Sequence, residues 1–463
     1  MRDHIFFYLN GASQKVTGPA IFETLSRYVR EQKRETGTKI VCEEGDCGAC
    51  TVLIGKQEGN TIRYLPVNSC IQYIFQADLT HVVTVEGLSK DGLTPVQDAM
   101  VRCHGAQCGY CTPGFIMAMH AVFEEKKTCS AAEAQRGLTG NLCRCTGYEP
   151  IIKAAMEVRD EPRIDALYPT APILRDLSSA ESAVRIGNFF KPATLAEAIS
   201  FKAENPKCTI VQGATDVGVW RNKRAFESPS YLSLSAIDGL GEIALRDGAL
   251  EAGGRVTLAQ FEEAAATHVP EMAAILDRFG SPQIRNAGTL AGNIANASPI
   301  ADTLPFLYVM NAELELTGRA GVRSVPIGSF YRGYKTLDLA QDEIITKIRI
   351  PTPRLGEILK LYKVSKRSHL DISSFTAAFL IRMAGGRIDA VRIAFGGVGP
   401  VVLRLPKTEA FLQGKSLDLA IFEGAGAIAR EEIKPISDVR GSAEFRLQLG
   451  ENILRKLYYA LAA

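Results

Sequence analysis

Residues 5–10 read IFFYLN, an apolar and aromatic run of strand composition, and Asn10-Gly11 turns the chain into a second short strand ending near Thr17-Gly18. This order predicts a β-hairpin. Ile21, Leu25, Tyr28 and Val29 then recur at helical spacing, a Gly-bearing loop runs from Gly37 to Cys50, and TVLIG and TIRYLPV supply further strands. From about residue 94 the pattern turns helical. Thr112-Pro113 predicts an N-cap with Pro at the first helical position, leading into GFIMAMHAVFEE. Ser130-Ala131-Ala132-Glu133 has capping-box spacing, and a further helix is predicted near Glu149-Pro150. Residues 159–182 carry Pro162, Pro169 and Pro172 with little periodicity, which predicts an interdomain linker. Beyond it, short strands alternate with helical patterns to about residue 345, and a mixed segment closes on a helix that includes ENILRKLYYALAA. No internal repeat stands out.

Composition narrows the class. With 463 residues, 46% of them apolar, and 41 glycines, the chain can bury full cores in about two to four domains. The formal charge is +2, without a basic tract, an Arg-rich helix or an acidic tail, so nothing electrostatic points to nucleic acid or an anionic membrane. MRDHIFFYLNG lacks the charged start and long apolar stretch of a secretion signal, and no run of 18 apolar residues follows, so a cytoplasmic protein is expected.

Cysteine usage is the sharpest clue. Of eleven cysteines, ten lie between Cys42 and Cys145, and only Cys208 lies beyond. Cytosolic thiols stay reduced, so metal binding is a better reading than a disulfide scaffold. Cys42, Cys47, Cys50 and Cys70 have the C-x4-C-x2-C spacing with a distant fourth cysteine that is the plant-type pattern for a [2Fe-2S] centre. The small and polar residues of EEGDCGAC suit a backbone wrapped closely around a cluster. A four-cysteine zinc site is the alternative, although structural zinc sites usually show paired short knuckles. Cys108-Gly-Tyr-Cys111 and Cys143-Arg-Cys145 form a second set at predicted helix junctions, where a helix N-terminus would favour a negatively charged cluster. Cys103 and Cys129 are left as small buried residues, though Cys103 lies five residues before Cys108 and could be mistaken for a ligand.

The remaining chain lacks a convincing Rossmann fingerprint. Gly239-Leu-Gly241-Glu-Ile-Ala244 runs into the turn Arg246-Asp247-Gly248 where a long helix is required, and Gly424-Ala-Gly426-Ala-Ile-Ala429 sits in a helical pattern with no strand before it. Two other segments are candidates for a dinucleotide. Thr209-Ile210-Val211 reads as a strand, followed by the small-residue turn Gln212-Gly213-Ala214-Thr215-Asp216, which could present N–H groups to a pyrophosphate. FGSPQIRNAGTLAGNIANASPIAD, from Phe279 to Asp302, gathers Gly, Ala, Ser, Thr and Asn into one loop system, for which packing and ligand binding are equally good readings.

The strings EEGDCGACTV, QCGYCTPGF and GNLCRCTGYEP resemble the paired iron-sulfur motifs of the molybdenum hydroxylases, the family of xanthine dehydrogenase, aldehyde oxidase and related enzymes. One departure is Val41, where the family usually has Gly before the first cysteine. The resemblance covers nearly the whole chain and implies a multidomain α+β fold. Its parts would be a β-grasp plant-type [2Fe-2S] ferredoxin domain at 1–83 and a helical [2Fe-2S] domain at 84–158. After the linker at 159–182 would come an α/β FAD-binding domain of the non-Rossmann, vanillyl-alcohol-oxidase-like type at 183–350 and an α+β C-terminal flavoprotein domain at 351–463.

It further implies that Cys42, Cys47, Cys50 and Cys70 hold one cluster, and that Cys108, Cys111, Cys143 and Cys145 hold a second, nearer molybdenum. Val211, Gly213, Ala214, Thr215 and Asp216 match the family's first pyrophosphate loop. Thr289, Gly292, Asn293 and Asp302 match the second loop, and Phe279 falls where an aromatic ring stacks near the isoalloxazine. Ile345 and Lys363 match later flavin contacts, whereas Gln212 and Asn296 replace the usual residue types.

Iron-sulfur and flavin modules fused without a molybdenum part resemble the small subunit of bacterial xanthine dehydrogenases. That implies no catalytic residue in this chain, a large molybdopterin-binding partner in a heterotetramer of two small and two large chains, purine as substrate and NAD as acceptor. The rivals are the same subunit acting on an aldehyde or N-heterocycle, a self-contained NADH reductase for an unrelated oxygenase, and a zinc-binding assembly module.

Overall fold

The computed structural model describes residues 1–90 and 92–462, so Ala463, the last residue of the C-terminal run, lies outside the described residues. Two compact units divide the chain. One is Met1–Ile237 with Ser281–Gly288, and the other is Asp238–Gly280 with Thr289–Ala463. The whole is a multidomain α+β protein, as expected.

In the first unit, β1 (Ile5–Leu9) and β2 (Ala12–Val16) form the predicted hairpin, with Asn10 and Gly11 both at positive φ. β3 (Thr51–Glu58), β4 (Thr61–Asn68) and β5 (His81–Val83) complete a sheet ordered β2-β1-β5-β3-β4. The central β1–β5 pair is parallel and the others antiparallel, which makes this sheet a β-grasp. All of β1 is buried because alternate side chains enter separate cores. Ile5, Phe7 and Leu9 pack with Ile21, Leu25, Val29 and Phe75. Phe6 and Tyr8 pack with Tyr64, Phe115 and Tyr168 on the other face.

The helix expected from the Ile21–Val29 periodicity is broken. It forms a 3-10 turn at Gly18–Phe22, one turn of α-helix at Leu25–Arg27 and a π-turn at Tyr28–Gln32. Thr24 makes the break: its backbone is extended and bridges to Tyr73, while its hydroxyl caps the turn that follows by accepting from the Arg27 N–H.

Helices follow at Pro95–Arg102, Thr112–Phe123, Ala131–Gly137 and Glu149–Glu157. Ser130 and Glu133 form the expected capping box. The helix expected to be capped by Thr112 starts one residue earlier, with Cys111 at the N-cap and Pro113 inside the first turn. Residues 159–182, expected as a linker, carry helices at Ile164–Leu167 and Thr170–Ser179 whose Ile164, Ile173 and Leu177 are buried in the helical core. Pro169 at the N-cap and Pro172 in the first turn occupy sites where a missing N–H breaks no helical bond. The unit ends with β6 (Val184–Ile186), β7 (Phe189–Lys191), β8 (Thr209–Ile210) and β9 (Tyr231–Leu232), ordered β6-β7-β9-β8, and the helices Val217–Arg224 and Pro282–Ala287.

The second unit holds β10 (Ile243–Arg246), β11 (Ala249–Gly253), β12 (Glu313–Gly318), β13 (Gly321–Pro326), β14 (Tyr331–Gly333), β15 (Thr336–Leu337) and β16 (Ile344–Pro351). Five of these make an antiparallel sheet, β10-β11-β16-β12-β13. A second sheet of β17 (Glu357–Val364), β18 (Phe375–Ala384), β19 (Arg387–Gly396) and β20 (Leu403–Arg404) packs Phe379 and Phe395 against Phe422 and Leu454 of the helices Leu419–Glu432 and Ala443–Ala462. Neither Rossmann-like match opens a strand–loop–helix: Gly239 starts a turn into β10, and Gly424–Ala429 lies within Leu419–Glu432. The run 279–302, expected as one loop system, contains the short helices Pro282–Ala287 and Leu290–Ala295, started by Ser281 and Thr289 as N-caps.

His81 is fully buried in β5. Its Nε2 accepts from the Gly11 N–H at 3.1 Å, so Nδ1 carries the proton and faces the Tyr64 hydroxyl at 2.7 Å. Burial pushes its pKa from 6.5 down to about 4. The unfolded chain therefore binds the proton first, and the stability present above pH 6.5 is lost as pH falls toward 4. Against a His81→Gln variant, the wild type's stability advantage in chemical denaturation is expected to shrink by about 3 kcal/mol across that window. A constant difference would show that His81 does not titrate there.

Candidate functional site

The β3–β4 hairpin brings Cys50, just before β3, beside Cys70, just after β4, since Thr51 and Asn68 pair at its open end. Both cysteines are buried, and the Ser69 hydroxyl donates to Cys50 O at 2.6 Å. Cys42 and Cys47 sit half-buried in the preceding loop, where Glu43, Gly45 and Gly48 all have positive φ. That conformation favours glycine and folds the backbone tightly. The Cys47 N–H points at Cys42 Sγ, 3.5 Å away.

The four side chains form one contact set: Cys42 is within hydrogen-bonding reach of Cys47 and Cys70, and Cys70 also of Cys50. Hydrogen bonds from Cys47 and Cys70 hold the Cys42 thiol far below the ordinary thiol range, and donation to Cys42 and Cys50 pushes Cys70 far up. Four thiolates this close require cationic compensation.

The second set forms two pairs. Cys108 Sγ and Cys145 Sγ are 3.6 Å apart, and Cys111 and Cys143 are within hydrogen-bonding reach. Burial first, then Cys143, pushes the Cys111 thiol up to about 12. The Cys143 thiol is lowered: its burial is outweighed by the Thr146 hydroxyl at 3.2 Å and by the backbone N–H groups of Thr146 and Cys145. Gly109, Gly147 and Tyr148 adopt positive φ around these cysteines, and the Tyr148 hydroxyl accepts from the Cys143 N–H at 3.1 Å.

Among the described residues no group of three or more His, Cys, Asp or Glu side chains is placed to hold a single metal ion. Two pairs of thiols instead suit a binuclear centre, in which each iron takes two of the four ligands. Cys103 ends the helix Pro95–Arg102 and faces Glu157, and the Cys129 thiol donates to Ala155 O, so neither joins a set.

The two thiol loops pack backbone to backbone. The Leu142 N–H donates to Cys47 O at 3.0 Å, and Asn141 Nδ2 donates to Gly48 O at 3.0 Å. A Cβ on Gly114 would lie 2.2 Å from Gly48 O, and one on Gly48 would lie 2.2 Å from Gly140 O. No larger residue fits at either position without moving backbone.

The residues expected at the flavin fall in both units. In the first, Val211 is buried at the end of β8. Gly213 lies against Ala287, whose carbonyl is 2.0 Å from a Cβ built there, and Ala214 has φ +52. Thr215 and Asp216 lead into the helix Val217–Arg224, with Asp216 at its N-cap. A loop of small residues with Ala214 at positive φ is the kind of backbone that can turn N–H groups toward a phosphate, which fits a dinucleotide.

In the second unit, Thr289 caps Leu290–Ala295 by accepting from the Gly292 N–H at 3.0 Å, and Asn293 Oδ1 accepts from the Thr303 hydroxyl at 2.5 Å. Asp302, Lys363 and Phe279 come together: the Lys363 ammonium donates to Asp302 Oδ2 at 2.5 Å and lies 5.9 Å from the centre of the Phe279 ring. The Ser373 hydroxyl donates to the other Asp302 oxygen at 2.5 Å. Ile345 is buried on β16 opposite Leu316. Sequence reasoning missed Gln72, Gln76, Asn141, Asn222 and Gln283, polar residues that tie these loops together across long sequence separations and carry no motif.

Residues 84–156 match a [2Fe-2S] binding domain, residues 182–353 the FAD binding domain in molybdopterin dehydrogenase, and residues 360–461 the CO dehydrogenase flavoprotein C-terminal domain. The chain belongs to the molybdenum hydroxylase family. Within that family it is similar to xanthine dehydrogenase 1 of Arabidopsis thaliana, 28% identical over 97% of this chain and 39% of the relative. It is also similar to aldehyde oxidase 1 of Bos taurus, 28% identical over 98% of this chain and 39% of the relative. The solved quinoline 2-oxidoreductase from Pseudomonas putida 86 is 28% identical with a TM-score of 0.56, covering 60% of this chain and 96% of that one. This molybdenum hydroxylase chain spans about two fifths of the length of the curated relatives it matches.

Two outcomes are expected. Cys103→Ser and Cys129→Ser should retain about four irons per chain, and Cys108→Ser should lose iron, as measured by metal analysis. Equal iron in all three would mean that the second set is misassigned. Asp302→Ala, which strands the buried Lys363 ammonium, should cost about 3–5 kcal/mol locally and lower bound FAD while iron stays near the wild-type level. Parallel loss of iron would point to general misfolding instead.

Proposed function

We propose that this chain is the electron-transfer part of a xanthine dehydrogenase, working with a large molybdopterin-binding chain as a cytoplasmic heterotetramer of two small and two large subunits. Purine would be hydroxylated on the partner, and NAD+ reduced at the flavin of this chain. When bound, the two [2Fe-2S] centres and FAD supply single-electron relay and its conversion into hydride transfer.

The observation that carries the reading is the graded exposure of two thiol sets whose loops touch. Cys108 and Cys145 are exposed, beside the exposed side chains of Tyr110, Leu142 and Tyr148, where a partner chain can approach. Cys50 and Cys70 are buried, and the segment after Cys70 bonds to the loop read as the pyrophosphate site. Gly48, Gly114 and Gly140 shorten the protein path between the sets because no side chains separate the two backbones. Thr51 and Ser69 hold the loop ends by donating to Gly48 O and Cys50 O, both at 2.6 Å, which keeps the first set rigid. Around the flavin, Asp302 and Ser373 fix the Lys363 ammonium beside Phe279, a preorganised positive charge.

A second reading differs only in substrate. The similarity to an aldehyde oxidase and a quinoline oxidoreductase favours an aldehyde or an N-heterocycle, because the chemistry that selects the substrate belongs to the partner.

Kinetics of the assembled complex test the path. Cys108→Ser or Cys143→Ser should abolish substrate-driven NAD+ reduction while NADH-to-dye activity persists, since alkoxide is a harder and poorer ligand than thiolate. A Gly213 variant should impair both activities. Native substrate-to-NAD+ turnover in a Cys108→Ser complex shown to lack its cluster would overturn the path. Turnover with an aldehyde or quinoline but not xanthine would decide for the second reading.

A further inference from the structure

Gln72 and Gln76 follow Cys70 closely in the iron-sulfur part of the chain, yet their side chains reach the flavin part. Gln72 Nε2 donates to Gly213 O at 2.9 Å, and Gln76 Nε2 donates to Gln212 O at 2.9 Å. Gln76 cannot be turned over, because its Oε1 accepts from the Tyr73 N–H at 2.9 Å. Among the described residues there are no cis peptide bonds. In a planar trans peptide the C=O and the following N–H point in opposite directions. Fixing the carbonyls of Gln212 and Gly213 toward the Cys70 segment therefore directs the N–H groups of Gly213 and Ala214 away from it. Among the described residues neither N–H donates to a protein acceptor. The far end of the loop is held by the same segment. A Cβ on Gly218 would lie 2.2 Å from Ile71 O, and Asn222 Nδ2 donates to Cys70 O at 2.8 Å and Glu43 O at 2.9 Å.

We propose that Gln72 and Gln76 are positioning residues for the dinucleotide loop, so that the polypeptide carrying the first thiol set aims the two N–H groups that receive the FAD pyrophosphate. The proposal rests on reading residues 211–216 as a flavin loop. It makes FAD affinity a property of two domains jointly. It also makes a distinctive demand on Gln72, which must be a donor at that point and not merely a side chain of suitable volume.

Substitutions of similar size separate those roles. Gln72→Met removes the donor at every pH. Gln72→Glu places a carboxylate against Gly213 O, which repels the carbonyl when ionised but donates to it when protonated. FAD titrated into flavin-depleted full-length chain, followed by flavin fluorescence from about pH 8 to about pH 5, reads out Kd, with iron content and the EPR signals measured in parallel. Wild type sets the baseline. Gln72→Met is expected to raise Kd about tenfold at all pH values. Gln72→Glu should raise it at least as much at high pH and recover toward wild type at low pH, with iron unchanged. A packing role would give no such recovery.

Gly213→Val, which drives a side chain into Ala287 O, is the control. If it loses FAD while both Gln72 variants bind within about twofold of wild type, the proposal is overturned and the flavin reading stands. If Gly213→Val binds FAD normally, the flavin reading itself fails, and the proposal with it. Should Gln72→Glu lose both iron-sulfur signals, Gln72→Met and Gln76→Met decide: raised Kd with normal iron supports the proposal, and native Kd overturns it.

Discussion

The carbonyl of Gly48 is the point on which the iron-sulfur half of the molecule is organised. It accepts from the Thr51 N–H and hydroxyl, closing the turn between Cys47 and Cys50, and from Asn141 Nδ2, two residues before Cys143. Gly114 leaves the space beside it that any side chain would fill. One oxygen thus fixes the shape of the first thiol loop and docks the second onto it. The Asn141 amide is held in turn by Gln283, which also donates to the Thr51 hydroxyl, so the junction is closed by three buried polar side chains that hydrogen-bond to one another. In a buried site such bonds set register more strictly than apolar packing does.

The same unit uses buried charge elsewhere. Asp78 is almost fully buried and accepts from Arg2 at 2.8 Å through both oxygens, from Lys191 at 2.6 Å and from the Phe6 N–H at 2.9 Å. Burial would raise its carboxyl, but Arg2 and Lys191 hold it below the ordinary carboxylate range. His120 takes the opposite course from His81. Burial disfavours its charge, yet Glu124 and Glu161 on its two ring nitrogens raise its pKa, so it favours the folded state when protonated. These clusters pin the first strand and the helical domain. They are separate from the thiol sets, which leaves the chemistry of the cysteines to be set by their own loops.

What could be read in the sequence was local. The Asn10-Gly11 hairpin, the capping box at Ser130 and the short cysteine spacings Cys42-x4-Cys47-x2-Cys50, Cys108-x2-Cys111 and Cys143-x-Cys145 each depend on neighbours a few residues away, and each is visible as a pattern. Long-range contacts were hidden. Thr24 interrupts a helical periodicity because a bridge to Tyr73 outweighs local propensity. Prolines at 169 and 172 read as breakers, yet they sit where a helix tolerates them. The flavin residues could be named only through family resemblance, since small residues in a loop carry no signal of their own. The spacing of the cysteines could not tell that Gln72, two residues beyond the last of the first set, reaches Gly213.

The helix Pro282–Ala287 belongs to a unit from which the chain has already departed at residue 237. Gln283 and Asn286, donating to Thr51, Asn141 and Pro66, complete a core whose other members were laid down more than a hundred residues earlier. The polypeptide therefore crosses between units three times. For a ribosome-bound chain, the iron-sulfur unit stays unfinished until this excursion has emerged, so its completion waits on synthesis of the flavin region. For recombination, no single crossover point divides the gene into two segments that each encode one whole unit.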